Sequence, residues 1–225
     1  MAKTSISGKI SRRGLMRAGA AWSLSALALF ALPALGGQGA FSTGNIRQSE
    51  SEAGNLVADA VRAAASADVA FVPAAAFKPG ATAPRPATPE QAATLVDPAT
   101  DVVVVLSLQG KQIADALERS VSFAPQPSSG FLQVSGLKFT YDASKPSGRR
   151  LVSVSVGGTA MDAVKTYKVA TTRPLANGQQ GYFKIWEKDQ ITADTGKTLA
   201  TALSDYARSR GGSLNVGLES RIVAN

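Results

Sequence analysis

The sequence predicts an α+β fold in which mixed β-sheets pack against helices. The segment 56–64 carries apolar residues on one face at helical spacing. DVVVVLSL (101–108) is a short, continuous apolar run of the kind found in buried strands. Helical and strand patterns then follow each other in mixed order, without a regular βαβ repeat. This order favours α+β over a parallel α/β architecture.

The other elements are predicted from the same patterns. The first helix should begin near Ser51, because Glu50 and Glu52 lie where carboxylates suit the helix dipole. Segment 73–90 contains five prolines and is predicted to be a loop, since proline removes a backbone donor. Further strands are predicted at 69–72, 131–142 (interrupted at Gly136), 151–156, 167–172 and 220–224, and further helices at 89–95, 113–121 and 199–206.

The first 36 residues have the features of an export signal. SRRGLM (11–16) places an arginine pair just before an uncharged apolar run, and small residues follow Pro33. This order is typical of a twin-arginine signal peptide, so we expect a periplasmic protein. An uncleaved N-terminal anchor is the alternative, although the run is short for a spanning helix. We expect a flexible segment at 37–49, a single domain at 50–225, and no stable membrane insertion after cleavage.

The charge of the chain argues against nucleic acid as a partner. The formal charge is +8, but residues 1–36 carry five of the basic residues and no acidic one, which leaves +3 for the rest. Nucleic-acid-binding domains need a basic stripe or cluster.

The absence of two residue types excludes several chemistries. The chain has no Cys and no His, so a disulfide, a thiolate site and a Ser-His-Asp triad are all excluded. We see no two-metal phosphoesterase site, and we expect no metal or other cofactor. SGLK (135–138) matches the S-x-x-K pattern of Ser-Lys hydrolases, but on a strand residues three apart point to opposite faces. None of these patterns is a catalytic constellation on its own merits.

NGQQGYFKIW (177–186) has two interpretations. The loop and its aromatic residues could hold a flat ligand, or Gly and Asn could form a turn whose aromatic residues enter the core. Composition alone favours the turn.

The order of the segments resembles the C-terminal domain of the 5′-nucleotidase family. The similar pieces are EAGNLVADAVR (52–62), ADVAFV (67–72), LQGKQIADALERSV (108–121), GFLQVSGLKFTYD (130–142), YKVATT (167–172) and ANGQQGYFKIW (176–186). The resemblance implies that the catalytic His and Asp residues and the two metal ions belong to a separate N-terminal domain. This domain would then supply the nucleotide pocket.

The resemblance also implies ligand-binding residues. Phe131 and Tyr182 would stack on the base, since aromatic faces stack on any base at about 1–3 kcal/mol each. Glu187 or Asp189 would bind ribose. Lys78 and Asn55 are further candidate polar contacts.

Three loops depart from the family pattern. PAAAFK (73–78) replaces N-x-G-G-I-R, so Lys78 stands where an Arg would grip a phosphate with a bidentate fork. PATD (98–101) lacks the Phe of a PF loop, and GQQG (178–181) lacks the Asp of a GGDG turn. The strands and helices keep the pattern.

Three hypotheses follow. The chain could be an exported, non-catalytic module that binds a nucleotide or nucleoside. It could instead be a subunit that acts in trans with a separately encoded metallophosphatase domain in nucleotide hydrolysis. The third alternative is a repurposed scaffold with no small ligand.

Overall fold

The computed structural model describes residues 39–225. Its mixed sheets pack against helices, which confirms the predicted α+β class. The strands are β1 (Gly39–Ser42), β2 (Val69–Pro73), β3 (Thr82–Arg85), β4 (Val102–Gln109), β5 (Leu132–Ser135), β6 (Leu137–Tyr141), β7 (Leu151–Val156), β8 (Thr159–Ala160), β9 (Thr166–Thr172), β10 (Ile191–Thr198) and β11 (Ile222–Ala224). The helices are α1 (Glu52–Ala65), α2 (Pro89–Ala93), α3 (Gly110–Ser120), α4 (Arg173–Ala176) and α5 (Leu199–Ser209), with short 3₁₀ turns at Ala74–Ala76, Gln179–Lys184 and Lys188–Gln190.

A five-stranded sheet forms the centre of the domain, in the order β10-β4-β9-β2-β5. β2 and β9 are parallel, and the other neighbours are antiparallel. β2 is buried along its whole length, which explains why its sequence is apolar without alternation. A second sheet, β11-β6-β7-β8, continues from β5 through Gly136, whose φ of +78° turns the chain between the sheets.

Helix α1 packs its apolar face against the central sheet, as predicted. Ser51 caps its start by accepting a hydrogen bond from the Gly54 N–H, and Ser66 ends it in the left-handed conformation. Leu56, Val57 and Val61 are fully buried. Removing a side chain of this size from water stabilises the fold by about 1.5–3 kcal/mol.

Residues 39–49 differ from the predicted flexible segment. β1 pairs with β3 in antiparallel register, and Phe41 and Ile46 are buried in the core. The buried Gln133 amide holds the segment further, because it donates hydrogen bonds to the carbonyls of Ile46 and Ser49. The sequence of this Gly-rich segment did not predict these contacts, because they involve isolated apolar residues and the side chain of a residue far away in the chain.

A polar cluster fixes the C-terminal strand to α1. Glu50 accepts hydrogen bonds from the backbone N–H groups of Glu219 and Arg221 at 2.8 Å each. The nearly buried Arg221 guanidinium donates two bonds to the Asp59 carboxylate, at 2.8 and 2.9 Å, and one to the Val134 carbonyl. We call Glu50, Asp59, Glu219 and Arg221 the C-terminal clasp.

Strand β10 and the short strand β3 were not predicted. β10 reads ITADTGKT and lies at the edge of the central sheet, where most of its side chains are partly or fully exposed. It is held by backbone pairing with β4 and by side-chain bonds such as that from Thr195 Oγ1 to the Val103 carbonyl. Within residues 39–225, no helix is long and apolar enough to cross a membrane.

Candidate functional site

The loops PAAAFK (73–78), PATD (98–101) and GQQG (178–181) meet around one cavity of about 280 Å³. We call it the three-loop cavity. PAAAFK, PATD and GQQG each contribute lining residues, and the end of β9 and the start of α4 complete the wall. The lining residues are Pro73, Ala75, Ala76, Asp97, Pro98, Asp101, Thr172, Pro174, Leu175, Gln179 and Gln180.

Backbone hydrogen bonds hold the first two loops in place. After β2, the Ala75 N–H donates to the Ser129 carbonyl at 2.9 Å, and the Asp97 N–H donates to the Ala76 carbonyl at 3.0 Å. The Asp101 carbonyl accepts from Leu199 at the start of α5. The loops are therefore parts of the scaffold, which gives the cavity a fixed shape.

The GQQG turn is held in an uncommon backbone conformation. Gln180 has φ 61° and ψ 19°, a left-handed geometry that costs energy for a residue other than Gly. Its side-chain Oε1 accepts a hydrogen bond from Ser129 at 2.6 Å, and its carbonyl accepts one from Arg119 at 2.5 Å. These contacts fix the turn against the cavity wall.

Thr172 is a buried polar residue on the cavity wall with an unused hydroxyl. The residue is fully buried, and its Oγ1 has no hydrogen-bond partner among residues 39–225. It precedes α4 at the N-cap position, yet its side chain makes no capping bond. An unpaired buried hydroxyl costs about 1–3 kcal/mol, so buried hydroxyls in folded proteins usually have a partner.

The charged residues that line the cavity are both acidic. Asp97 is exposed and Asp101 is partly buried, and neither carboxylate makes a side-chain hydrogen bond within the described part of the chain. Burial raises the pKa of Asp101, and the neighbouring charge of Asp97 adds to this effect. Among the residues that the structure describes, no Lys or Arg lines this cavity. The lining of the cavity thus carries a negative charge.

The two residues predicted to stack on a base lie in the core instead. Tyr182 is fully buried, its hydroxyl donates to the Gly130 carbonyl at 2.7 Å, and its ring stacks on Trp186 at 5.1 Å. Phe131 is 2% exposed. Neither ring lines the three-loop cavity, so the pair does not form an open clamp in this structure. The hydrophobic effect, which favours burying a large ring, accounts for both positions.

The predicted polar contacts are dispersed. Asn55 is buried in α1, where its Nδ2 donates to Glu50 and to the Gly217 carbonyl. Lys78, the last residue of the first loop, is exposed and does not line the cavity. Glu187 and Asp189 are exposed after the GQQG turn, on a different surface depression. The structure therefore does not bring these four residues together.

SGLK does not form a Ser-Lys pair. The Ser135 hydroxyl donates to Asp59 at 2.6 Å and accepts from Arg62, whereas the Lys138 ammonium donates to the Glu219 carbonyl. Residues 39–225 contain no group of three or more acidic, His or Cys side chains that could hold a metal ion.

A larger cavity, of about 570 Å³, shares no lining residue with the three-loop cavity. It lies over the C-terminal clasp, and Asp59, Ser135 and Arg221 in its wall are already bonded to each other and to the backbone. Because these polar groups stabilise the fold, we assign the candidate site to the smaller cavity.

Sequence reasoning missed Thr172, Asp101 and Gln180 as site residues. The departures from the family pattern in PATD and GQQG were the available signal for two of them. Thr172 carried no signal, since a Thr at the end of a strand is common and its missing partner becomes visible only in three dimensions.

The fold and the cavity define a class of protein, namely a small α+β domain that presents a ligand cavity built from loops. The family model for the 5′-nucleotidase C-terminal domain matches residues 33–187. The chain therefore belongs to the 5′-nucleotidase C-terminal domain family, a substrate-binding module.

Similar proteins support this assignment. A snake venom 5′-nucleotidase from Naja atra is 32% identical over 127 residues, which are 53% of this chain and 24% of the relative. The trifunctional nucleotide phosphoesterase protein YfkN from Bacillus subtilis (strain 168) is 26% identical over 79% of this chain and 13% of its own length. A 5′-nucleotidase precursor from Thermus thermophilus matches in structure with a TM-score of 0.70 and 28% identity, over 82% of this chain and 38% of that one. The chain thus spans well under half the length of these relatives.

Proposed function

We propose that this chain is an exported, non-catalytic module that binds a nucleoside or nucleotide in the three-loop cavity. One observation carries the proposal. The loops in which the sequence departs from its family converge on a single cavity, and that wall contains a buried hydroxyl without a partner among the described residues. A fixed cavity with a few polar groups is the usual form of a small-molecule site.

Non-catalytic binding is supported by the residues present. The chain has no His and no Cys, and its described acidic residues do not cluster as metal ligands. Phosphoester hydrolysis with added metal is therefore not expected from this chain alone. Export is supported by the paired arginines and the apolar run of residues 1–36.

Isothermal titration of the full chain with adenosine, AMP and UDP-glucose tests the proposal. We expect a saturable heat with at least one of them. Ala75→Phe should reduce that affinity more than tenfold, because Ala75 lines the cavity and is exposed enough to accept a larger side chain that would fill it.

The matched control is Ala163→Phe, an equal enlargement at an exposed position outside the cavity. It should leave both binding and thermal stability unchanged, since exposed substitutions usually alter stability by less than about 0.5 kcal/mol. If none of the three compounds binds to the folded protein, or if both variants bind alike, the proposal fails.

A second candidate function is supported by exposed aromatic rings near the cavity. Phe123 and Phe183 are 55% and 59% exposed, and Arg119 lies 5.3 Å from the Phe123 ring while bonding to Gln180. This surface could receive a separately encoded metallophosphatase domain that hydrolyses nucleotides together with this chain. Co-purification with such a domain from the same organism, abolished by Phe123→Asp with Phe183→Asp, would support it. Failure of the purified pair to associate or to gain activity would exclude it.

A further inference from the structure

We propose that the three-loop cavity selects ligands that present hydrogen-bond donors and no negative charge, so that it binds a nucleoside in preference to its 5′-phosphate. This inference rests on the proposed function and names its ligand class. It reverses the preference that a phosphate-gripping arginine in the first loop would give.

The charged groups offered to a ligand are acceptors, and Thr172, Gln179 and Gln180 add side chains that can both donate and accept. The Asp97 and Asp101 carboxylates line the cavity and make no side-chain hydrogen bond within residues 39–225. An ionised carboxylate only accepts hydrogen bonds, and bonds to it are among the strongest. The hydroxyls of a ribose and the amino group of a base are donors that suit these acceptors.

The neighbouring cations are not among the residues that line the cavity. Arg173 forms an ion pair with Asp194, and Arg119 donates to Ser122 and to the Gln180 carbonyl. Lys78 is exposed and does not line the cavity. A phosphate bound in the cavity would be repelled by two carboxylates and would lose affinity on the order of tenfold at low ionic strength.

The size of the cavity agrees with this ligand class. Small-molecule pockets commonly measure about 300–1,000 Å³, and this one is near the lower limit at about 280 Å³. Its volume suits a single nucleoside. The Pro98, Pro174 and Leu175 side chains provide apolar wall for the ring of a base.

Titration of the full chain with adenosine and with AMP, at about 10 mM and about 300 mM salt, tests the inference. We expect adenosine to bind on the order of tenfold more tightly than AMP at low salt. The ratio of the two dissociation constants should move toward one at high salt, because ions screen the repulsion. Asp97→Asn with Asp101→Asn should tighten AMP binding and bring the ratio close to one.

Asp115→Asn is the matched control, since it removes the same charge from an exposed residue that does not line the cavity. It should leave the ratio near its wild-type value. AMP binding as tightly as adenosine, or a ratio unaffected by the double variant, overturns the selectivity while leaving the binding function intact. Thermal unfolding checks that the titrated protein is folded. If folded protein binds neither adenosine nor AMP, the proposed function itself is overturned.

Discussion

Replacing Thr172 by Val should stabilise the protein. The two side chains are nearly equal in shape, and the Thr172 Oγ1 is buried without a partner among the described residues. Its desolvation costs about 1–3 kcal/mol, a cost that the methyl group of Val does not carry. Allowing for imperfect repacking, we expect the free energy of unfolding to rise by about 1 kcal/mol, which corresponds to a rise in Tm of about 2–4 °C for a domain of this size.

The neighbouring residue provides a matched control. Thr171 is equally buried, but its Oγ1 donates to the Phe71 carbonyl at 2.8 Å. Thr171→Val removes that buried bond and should lower the free energy of unfolding by about 1–3 kcal/mol. Urea unfolding followed by tryptophan fluorescence measures both changes. If Thr172→Val destabilises the protein as much as Thr171→Val does, the Thr172 hydroxyl has a partner and the reasoning is refuted.

Two further predictions concern the aromatic core and pH. Tyr182→Phe should destabilise the protein by about 1–3 kcal/mol, because the buried Gly130 carbonyl loses its donor. The exposed Phe183→Ala should change stability by less than about 0.5 kcal/mol, and equal effects of the two in urea unfolding would mean that the bond from the Tyr182 hydroxyl to Gly130 does not stabilise the fold. Asp101→Asn should stabilise the protein at neutral pH. The folded state raises the pKa of Asp101, so stability falls as the pH rises through the range in which this carboxyl ionises. Thermal unfolding should show this gain at pH 7 and its disappearance near pH 3, where the carboxyl is protonated in both states; a gain that persists at pH 3 would contradict it.

The regular elements were predictable where the apolar pattern is strong. α1 and β4 follow directly from their buried faces. β10 was not predictable because its side chains are mostly polar, and pairing at a sheet edge depends on backbone groups that every sequence offers. β1 was not predicted because a single buried Phe in a Gly-rich stretch does not form a repeating apolar pattern.

The residues of the candidate site were not predictable from the sequence. Departures from the family pattern marked the three loops that form the cavity. The sequence could not decide which way an aromatic ring points, and both Phe131 and Tyr182 are turned into the core. Only the structure shows that Asp97, Asp101 and the Thr172 hydroxyl, which has no partner among the described residues, line the three-loop cavity.

The C-terminal clasp has a consequence for folding kinetics. It joins residues 162 and 171 positions apart in the chain, from Asp59 to Arg221 and from Glu50 to Arg221. Such contacts add loop-closure entropy to the folding barrier and slow folding. Helix α1 therefore gains the ionic contacts of its polar side only when the segment around Arg221 has folded back onto it.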